Sequence, residues 1–362
     1  MITYCTNIHP GESWADTFLN LQNHIPSIKS AVSPDHPFPV GLRLSNRAAT
    51  EIDARSAALF DDWMQDNDLF IPTINGFPYG SFHASPIKEN VYLPDWRQPE
   101  RVDYTMLLAT LLDHWLPDTV QGSISTVPVG FRNCVNDSDL SGIRKNLVSV
   151  LEHLDRLRQR SGKTIVLALE AEPRCFLETT EEITSFFERM NFSDELRTGI
   201  GICFDCCHHA VEFETPAESL ARLANAGITI GKVQISSAPR VVNPSYPLLE
   251  QLCEPTYLHQ VAIRSTDGII KRYNDLPDAL KEHNGRSGDE WRIHFHLPVF
   301  LKNAPWCDTT QQFIEDILPL LDPKTLLEIE TYTWDILPPN MQSGSVTQSI
   351  IREIEWLKEQ IP

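Results

Sequence analysis

Short apolar runs rich in Val, Ile and Leu alternate along the chain with longer stretches in which apolar residues recur every three to four positions. The first pattern predicts buried strands and the second one-faced helices, an order that builds βα units around a parallel sheet. Candidate strands are ITYCTNIH (2–9), FPVGLRLS (38–45), LFIPTING (69–76), VQGSISTVP (120–128), TIVLALEAE (164–172), IGICFDC (200–206), ITIGKVQIS (228–236), RIHFHLP (292–298) and LLEIETY (326–332). Trp14, Phe18, Leu21, Ile25 and Ile28 mark one core-facing helix, and Val346, Ile350, Ile354 and Leu357 mark another.

The pattern predicts an α/β fold, a single (β/α)8 TIM barrel over residues 1–362, for which nine candidate strands are one too many. RIHFHLP is the one to set aside, because it follows an unusually long connection. That connection holds VAIRSTDGIIKRY, read as a hairpin turning at Asp267-Gly268. A second long connection, GFPYGSFHASPIKENVYLPDWR, is dense in aromatics, Pro and Gly. We therefore expect insertions at 76–98 and 237–290, lying over the C-terminal face. No internal repeat or linker marks a second domain.

Composition narrows the partners. The 362 residues carry 30 Lys+Arg against 49 Asp+Glu, a net charge of −19 with no basic run, which disfavours nucleic acid. No apolar stretch approaches a membrane span, so no membrane insertion is expected, and the N-terminus MITYCTNIHP lacks a signal pattern. A cytoplasmic location is the expectation, and the eight cysteines, without framework spacing, are expected as thiols.

In a barrel of this kind the working residues sit at the C-terminal strand ends. Asn7 and His9 end the first candidate, Glu170 and Glu172 the fifth, Asp205 with His208 and His209 the sixth. Gln234 lies on the seventh, His294 and His296 on the segment set aside, and Glu328 and Glu330 on the last. Acids, imidazoles and an amide arriving at one end of separate strands are how a divalent-metal site is assembled. In GICFDCCHHA (201–210) the adjacent Cys206 and Cys207 point to different sides and lack zinc-knot spacing, whereas Asp205 and His208 have a D-x-x-H spacing that lets both face one point. His24 and His209 read as structural. Arg43 offsets negative charge, binds a substrate oxygen or forms an ordinary buried ion pair, and His9 is a candidate substrate contact.

GICFDCCHHA, LALEAEP and LEIET resemble the metal-binding strands of the xylose-isomerase-like TIM barrels, which include sugar phosphate isomerases and epimerases and endonuclease IV-like enzymes. Segments from YCTNIHPGESWA through NVYLPDWR, SISTVP, LALEAEPRCFLETTEE and EPTYLHQV to HFHLP and IETYTW resemble the metabolite traffic protein EboE family. The resemblance implies a Mn²⁺, Mg²⁺ or Zn²⁺ cofactor, a small polyol, sugar or cyclitol as ligand, and partners from the same gene cluster. It carries the superfamily's four ligands onto Glu170, Asp205, Gln234 and Glu330, with Gln where His is usual and His208 placed to compensate. It also selects Glu170 and Glu330 from their pairs, leaving Glu172 and Glu328 as a substrate contact and a deeper structural acid.

Three readings follow. In the first, an isomerase or epimerase, Glu170 and Glu330 remove and return a proton beside a metal-polarised carbonyl, with His294 and His296 on substrate or a second metal. The second is a non-catalytic metabolite-binding or trafficking protein of the same fold. The third is an endonuclease IV-like metal-dependent hydrolase, against which the missing His at 234 and the acidic charge both count.

Overall fold

The computed structural model describes all residues except 84–85, 284–286, 305, 339–340, 343 and 362. Seven strands open the chain: β1 (Ile2–Tyr4), β2 (Phe38–Arg43), β3 (Leu69–Asn75), β4 (Gly122–Thr126), β5 (Ile165–Glu170), β6 (Ile200–Asp205) and β7 (Thr229–Ile235). Six more follow in an excursion: β8 (Pro239–Val242), β9 (Val261–Arg264), β10 (Ile270–Tyr273), β11 (Glu290–Ile293), β12 (Asn303–Ala304) and β13 (Cys307–Thr309). The chain then returns to the barrel as β14 (Leu327–Ile329).

The parallel sheet runs β1-β14-β7-β6-β5-β4-β3-β2. A parallel bridge from Cys5 to Gly41 brings its ends together. Side-chain hydroxyls complete this thin seam: Thr3 Oγ1 donates to Pro39 O at 2.7 Å and accepts from Gly41 N at 2.9 Å, and Arg43 N donates to Thr6 Oγ1 at 2.8 Å. Gly41 is required here, since a Cβ would lie 2.1 Å from Glu328 Oε1 and 2.6 Å from Tyr4 O.

Helices cover the outside, among them Trp14–Val32, which buries Trp14, Leu21, Ile25 and Ile28. Ser345 caps Val346–Gln360 in a reciprocal capping box with Gln348. The strands are buried on both faces, as a helix-wrapped parallel sheet requires. The excursion forms a second sheet, order β10-β9-β11-β8-β13-β12, with antiparallel ladders throughout. The hairpin β9–β10 turns through Gly268 at φ +86°, a left-handed conformation that glycine adopts without a Cβ penalty. Of RIHFHLP only the first residues are strand. His294 to Pro298 run on as an extended segment bridged at Leu297 to Ser237.

Glu353, fully buried on the last helix, ties excursion to barrel. It accepts from Val299 N at 3.1 Å and Thr331 Oγ1 at 2.6 Å through one oxygen, and from Ser349 Oγ at 3.4 Å through the other. Burial, only partly offset by these donors, pushes its pKa up from 4.5 to about 7. A carboxyl raised in the folded state contributes stability below its unfolded pKa and loses it as pH rises through 4.5 to about 7. Glu353→Gln keeps the acceptor for Val299 and Thr331. It is expected to flatten the fall in unfolding free energy between about pH 5 and 8 and to be more stable than wild type at pH 8, measured by denaturant titration across pH. An unchanged pH dependence would show that Glu353 does not carry it.

Candidate functional site

Four consecutive barrel strands deliver one polar group each to the same end. Glu170 and Asp205 are the last residues of β5 and β6. Gln234 is paired in register with Asp205 and with Glu328, and Glu330 follows β14 with its N–H on Ile235 O at 3.1 Å. Oxygens of Glu170, Asp205 and Glu330 all lie within 4.8 Å of one another, and all three residues are buried.

Asp205 is held by its second task, capping the helix Cys206–Val211. Its Oδ1 accepts from His208 N at 2.9 Å and Ser236 Oγ at 2.8 Å, which leaves Oδ2 buried with no partner. Glu170 Oε2 and both polar atoms of the Gln234 amide are likewise buried and unpartnered. Glu330 Oε1 accepts from Asn7 Nδ2 at 2.8 Å and Asn75 Nδ2 at 3.2 Å, two neutral donors that orient it without removing its charge. Burial first, and then the neighbouring carboxylates, push Glu170 and Glu330 well above the usual carboxylate range. Burial also acts to raise Asp205, but His208, His296 and the cap hydrogen bonds outweigh it and hold it low. Unpartnered oxygens of Glu170, Asp205 and the Gln234 amide, converging with Glu330 in a buried site, are a donor set that fits a hard divalent cation.

Beneath this set Lys232 and Glu328 form a fully buried ion pair inside the barrel, so Glu328 is the deeper structural acid. Cys206 and Cys207 are buried, and burial pushes both thiols well above their ordinary range, which makes them inert. His209 stacks on Phe204 with ring centroids 4.0 Å apart and bonds Glu214 at 2.6 Å.

Beside the carboxylates stand three imidazoles. His208 Nδ1 faces Ala171 O at 2.8 Å, His296 Nδ1 faces Glu330 O at 2.9 Å, and His294 Nδ1 faces Gln260 Oε1 at 2.6 Å. Their Nε2 atoms turn toward each other, 3.0 Å between His208 and His294 and 3.2 Å between His294 and His296. The structure thus brings Glu170, Asp205, Gln234, Glu330, His208, His294 and His296 together. Glu172 borders the same space: its Oε1 accepts from Tyr92 OH at 2.6 Å and Gln260 Nε2 at 3.0 Å, and burial raises its pKa to about 7.

Two candidates lie elsewhere. His9 bonds Tyr4 OH at 3.0 Å and stacks on His24 at 4.2 Å, since the chain leaves β1 through a turn at Thr6–Ile8. Arg43 is held by Glu12 at 3.2 Å and by the carbonyls of Gly11 and Gly80. Neither lines the cavity.

The connection after β3 and the excursion meet above the site. Lys88 Nζ donates to Asp275 Oδ2 and Tyr257 O, both at 2.7 Å, and His83 bridges Asn7 O and Tyr257 OH. Phe82, Tyr257 and Tyr332 pack as one aromatic cluster over the space. The cavity measures about 60 Å³ and is lined by Glu170, Glu172, Glu330, His208 and His294 together with Tyr92 and Tyr332. Asn75, Lys88, Tyr92, Gln260 and Tyr332 were not among the residues singled out from sequence. The aromatic density of the connection was the one signal that pointed toward some of them.

No protein-family model matches the chain, and no curated protein matches it. Solved structures do. A xylose isomerase-like TIM barrel protein from Mycobacterium smegmatis in complex with magnesium aligns with a TM-score of 0.54 at 11% identity, over 99% of this chain and 95% of that one. An L-ribulose 3-epimerase aligns with a TM-score of 0.51 at 11% identity, over 99% and 94%. A D-allulose 3-epimerase from Methylomonas sp. in complex with D-allulose aligns with a TM-score of 0.51 at 13% identity, over 99% and 96%. Together with the parallel eight-stranded sheet, these likenesses show the fold, a xylose isomerase-like (β/α)8 TIM barrel.

Proposed function

We propose that the chain is a divalent-metal-dependent isomerase or epimerase acting on a small polyol, sugar or cyclitol. The observation that carries this reading is the set of buried, unpartnered oxygens of Glu170, Asp205 and Gln234 at the ends of adjacent strands, joined by Glu330, with Glu170 and Glu330 lining the cavity. The likeness to sugar epimerases supports it, and the neighbour in complex with magnesium supports a hard cation. In this reading residues 1–362 act as one barrel, with the connections at 76–98 and 237–290 as its roof. The resemblance to the EboE family adds the setting of a metabolite-traffic gene cluster.

When bound by Glu170, Asp205, Gln234 and Glu330, the cation supplies a positive charge that polarises a chelated carbonyl and acidifies the neighbouring carbon. Glu170 and Glu330 arrive from opposite sides of Asp205 and Gln234 in the strand order, so one is placed to take a proton and the other to return it. Asn7 and Asn75 hold Glu330 in position for this. The aromatic roof excludes water, which would otherwise compete for the proton. The lining also favours a neutral substrate, because Lys88, its single Lys or Arg, is already engaged by Asp275 and Tyr257.

A non-catalytic binding role is the second reading, favoured by the amide at position 234 and by the small cavity. At about 60 Å³ the cavity is small for a polyol.

Two outcomes test the proposal. Glu330→Gln is expected to retain much of the metal while slowing exchange of a substrate's carbon-bound hydrogen with solvent by ~100-fold or more. That exchange is read by NMR in deuterium oxide over a panel of ketoses and cyclitols, and no exchange by wild-type protein with any of them would favour the binding role. Asp205→Asn preserves the helix cap but removes a charge. Chelation is expected to lower the wild-type Tm by a few degrees and leave that of this variant unmoved. Equal chelator responses would place the cation elsewhere.

A further inference from the structure

We propose that the substrate is a neutral amphiphile, with a hydroxy-carbonyl head that reaches the carboxylates and an apolar substituent, alkyl or aryl, that leaves the cavity past Ile87 and Val91. The inference rests on the reading of the carboxylate set as a site for a chelated carbonyl, and it narrows the substrate class within that reading.

The cavity lining divides by chemistry and by origin. Ends of barrel strands, or residues just beyond them, supply Asn7, Asn75, Glu170 and Glu330. The connection after β3 supplies Phe77, Pro78, Phe82, Ile87 and Val91, and the excursion adds Leu258. Three tyrosines in the lining contribute rings rather than free hydroxyls, because each hydroxyl already has a partner. Tyr92 OH donates to Glu172 Oε1 at 2.6 Å, Tyr257 OH meets His83 Nδ1 at 2.9 Å, and Tyr332 OH meets His294 Nε2 at 3.4 Å. The Lys88 ammonium donates to Asp275 and to the carbonyls of Glu254 and Tyr257. What this part of the lining presents to a ligand is therefore alkyl and ring carbon.

An unsubstituted sugar matches such a lining at one end only. It carries a hydroxyl on nearly every carbon, and each hydroxyl set against carbon gives up its water partners without gaining a protein one. An alkyl or aryl group gains in the same place, since its own surface and that of the wall leave water together. The polar end of the lining suits the opposite chemistry, with carboxylates, two Asn amides and the His208 and His294 rings to meet a carbonyl and its neighbouring hydroxyl.

The solvent side of the lining points the same way. Among the described residues that line the cavity, all are buried except Ile87, Lys88 and Val91, which are half-buried. The way out thus runs past two aliphatic side chains and a lysine that is already ion-paired. Ile87 and Val91 also pack against the cluster of Phe82, Tyr257 and Tyr332, so the apolar surface is continuous from the buried rings to the edge. A substituent lying on it keeps carbon against carbon along its length.

The test is calorimetric titration of the full chain, with Mg²⁺ present, with hydroxyacetone and with its homologues carrying one, three and five further methylenes on the ketone side. All share one chelating head and differ only in the apolar chain. Affinity is expected to rise about twofold to fourfold per added methylene. Ile87→Asp and Val91→Asp are each expected to flatten that rise. Should either variant fail to fold, the other decides together with the wild-type series. A flat wild-type series, no binding of any member, or a rise that persists unchanged in the folded variants would overturn the inference. The proposed reaction is read separately by hydrogen exchange in deuterium oxide. A rising series without exchange would keep this substrate class and reject catalysis, whereas exchange of free ketoses with a flat series would keep catalysis and reject this class.

Discussion

The constraint on which the rest depends is that three carboxylates with too few donors sit in one buried place. Oxygens of Glu170, Asp205 and Glu330 lie within 4.8 Å of one another, and the buried cation Lys232 is already paired with Glu328. Buried like charges at this range are tolerated only if protonated or bridged by a cation. The raised pKa values of Glu170 and Glu330 express the first option. The unpartnered oxygens of Glu170, Asp205 and Gln234 invite the second.

Much of the surrounding architecture serves that constraint. Gly41 makes room for Glu328, which in turn neutralises Lys232 beneath the site. Asp205 gives one oxygen to the helix behind it and keeps the other unpartnered within reach of Glu170 and Glu330. The roof extends the pattern: Tyr92, Glu172 and Gln260 form a hydrogen-bonded chain whose far end fixes the His294 ring. Residues of the connection after β3 thereby reach the imidazole cluster through a chain of direct bonds.

The barrel was legible because its strands are apolar on both sides and end in acids, a signal that survives without any partner in view. Asp205 and His208 were legible through spacing, since a strand-end acid and a residue one helical turn later share a face. The strands β8, β12 and β13 were not read, because PRVV, NA and CDT are too short to carry a period. Glu172 was placed with Glu170 at the end of the fifth candidate strand; β5 stops at Glu170, and Glu172 borders the same cavity, bonded to Tyr92 and Gln260. Lys232 looks unremarkable in sequence, because its partner lies 96 residues away and only the β7–β14 pairing joins them. His9 shares the histidine's usual ambiguity: nothing local reveals that β1 stops at Tyr4 and turns the ring onto His24.

The central claim, that the carboxylate set holds protons when empty and exchanges them for a cation, is tested most directly by titrating Mn²⁺ into chelator-treated protein at pH 7 in buffers of different ionisation enthalpy. Metal ligands must deprotonate to bind, so the account expects calorimetry to report net release of about one proton or more per ion. Binding without proton release, or no binding at all, would contradict it.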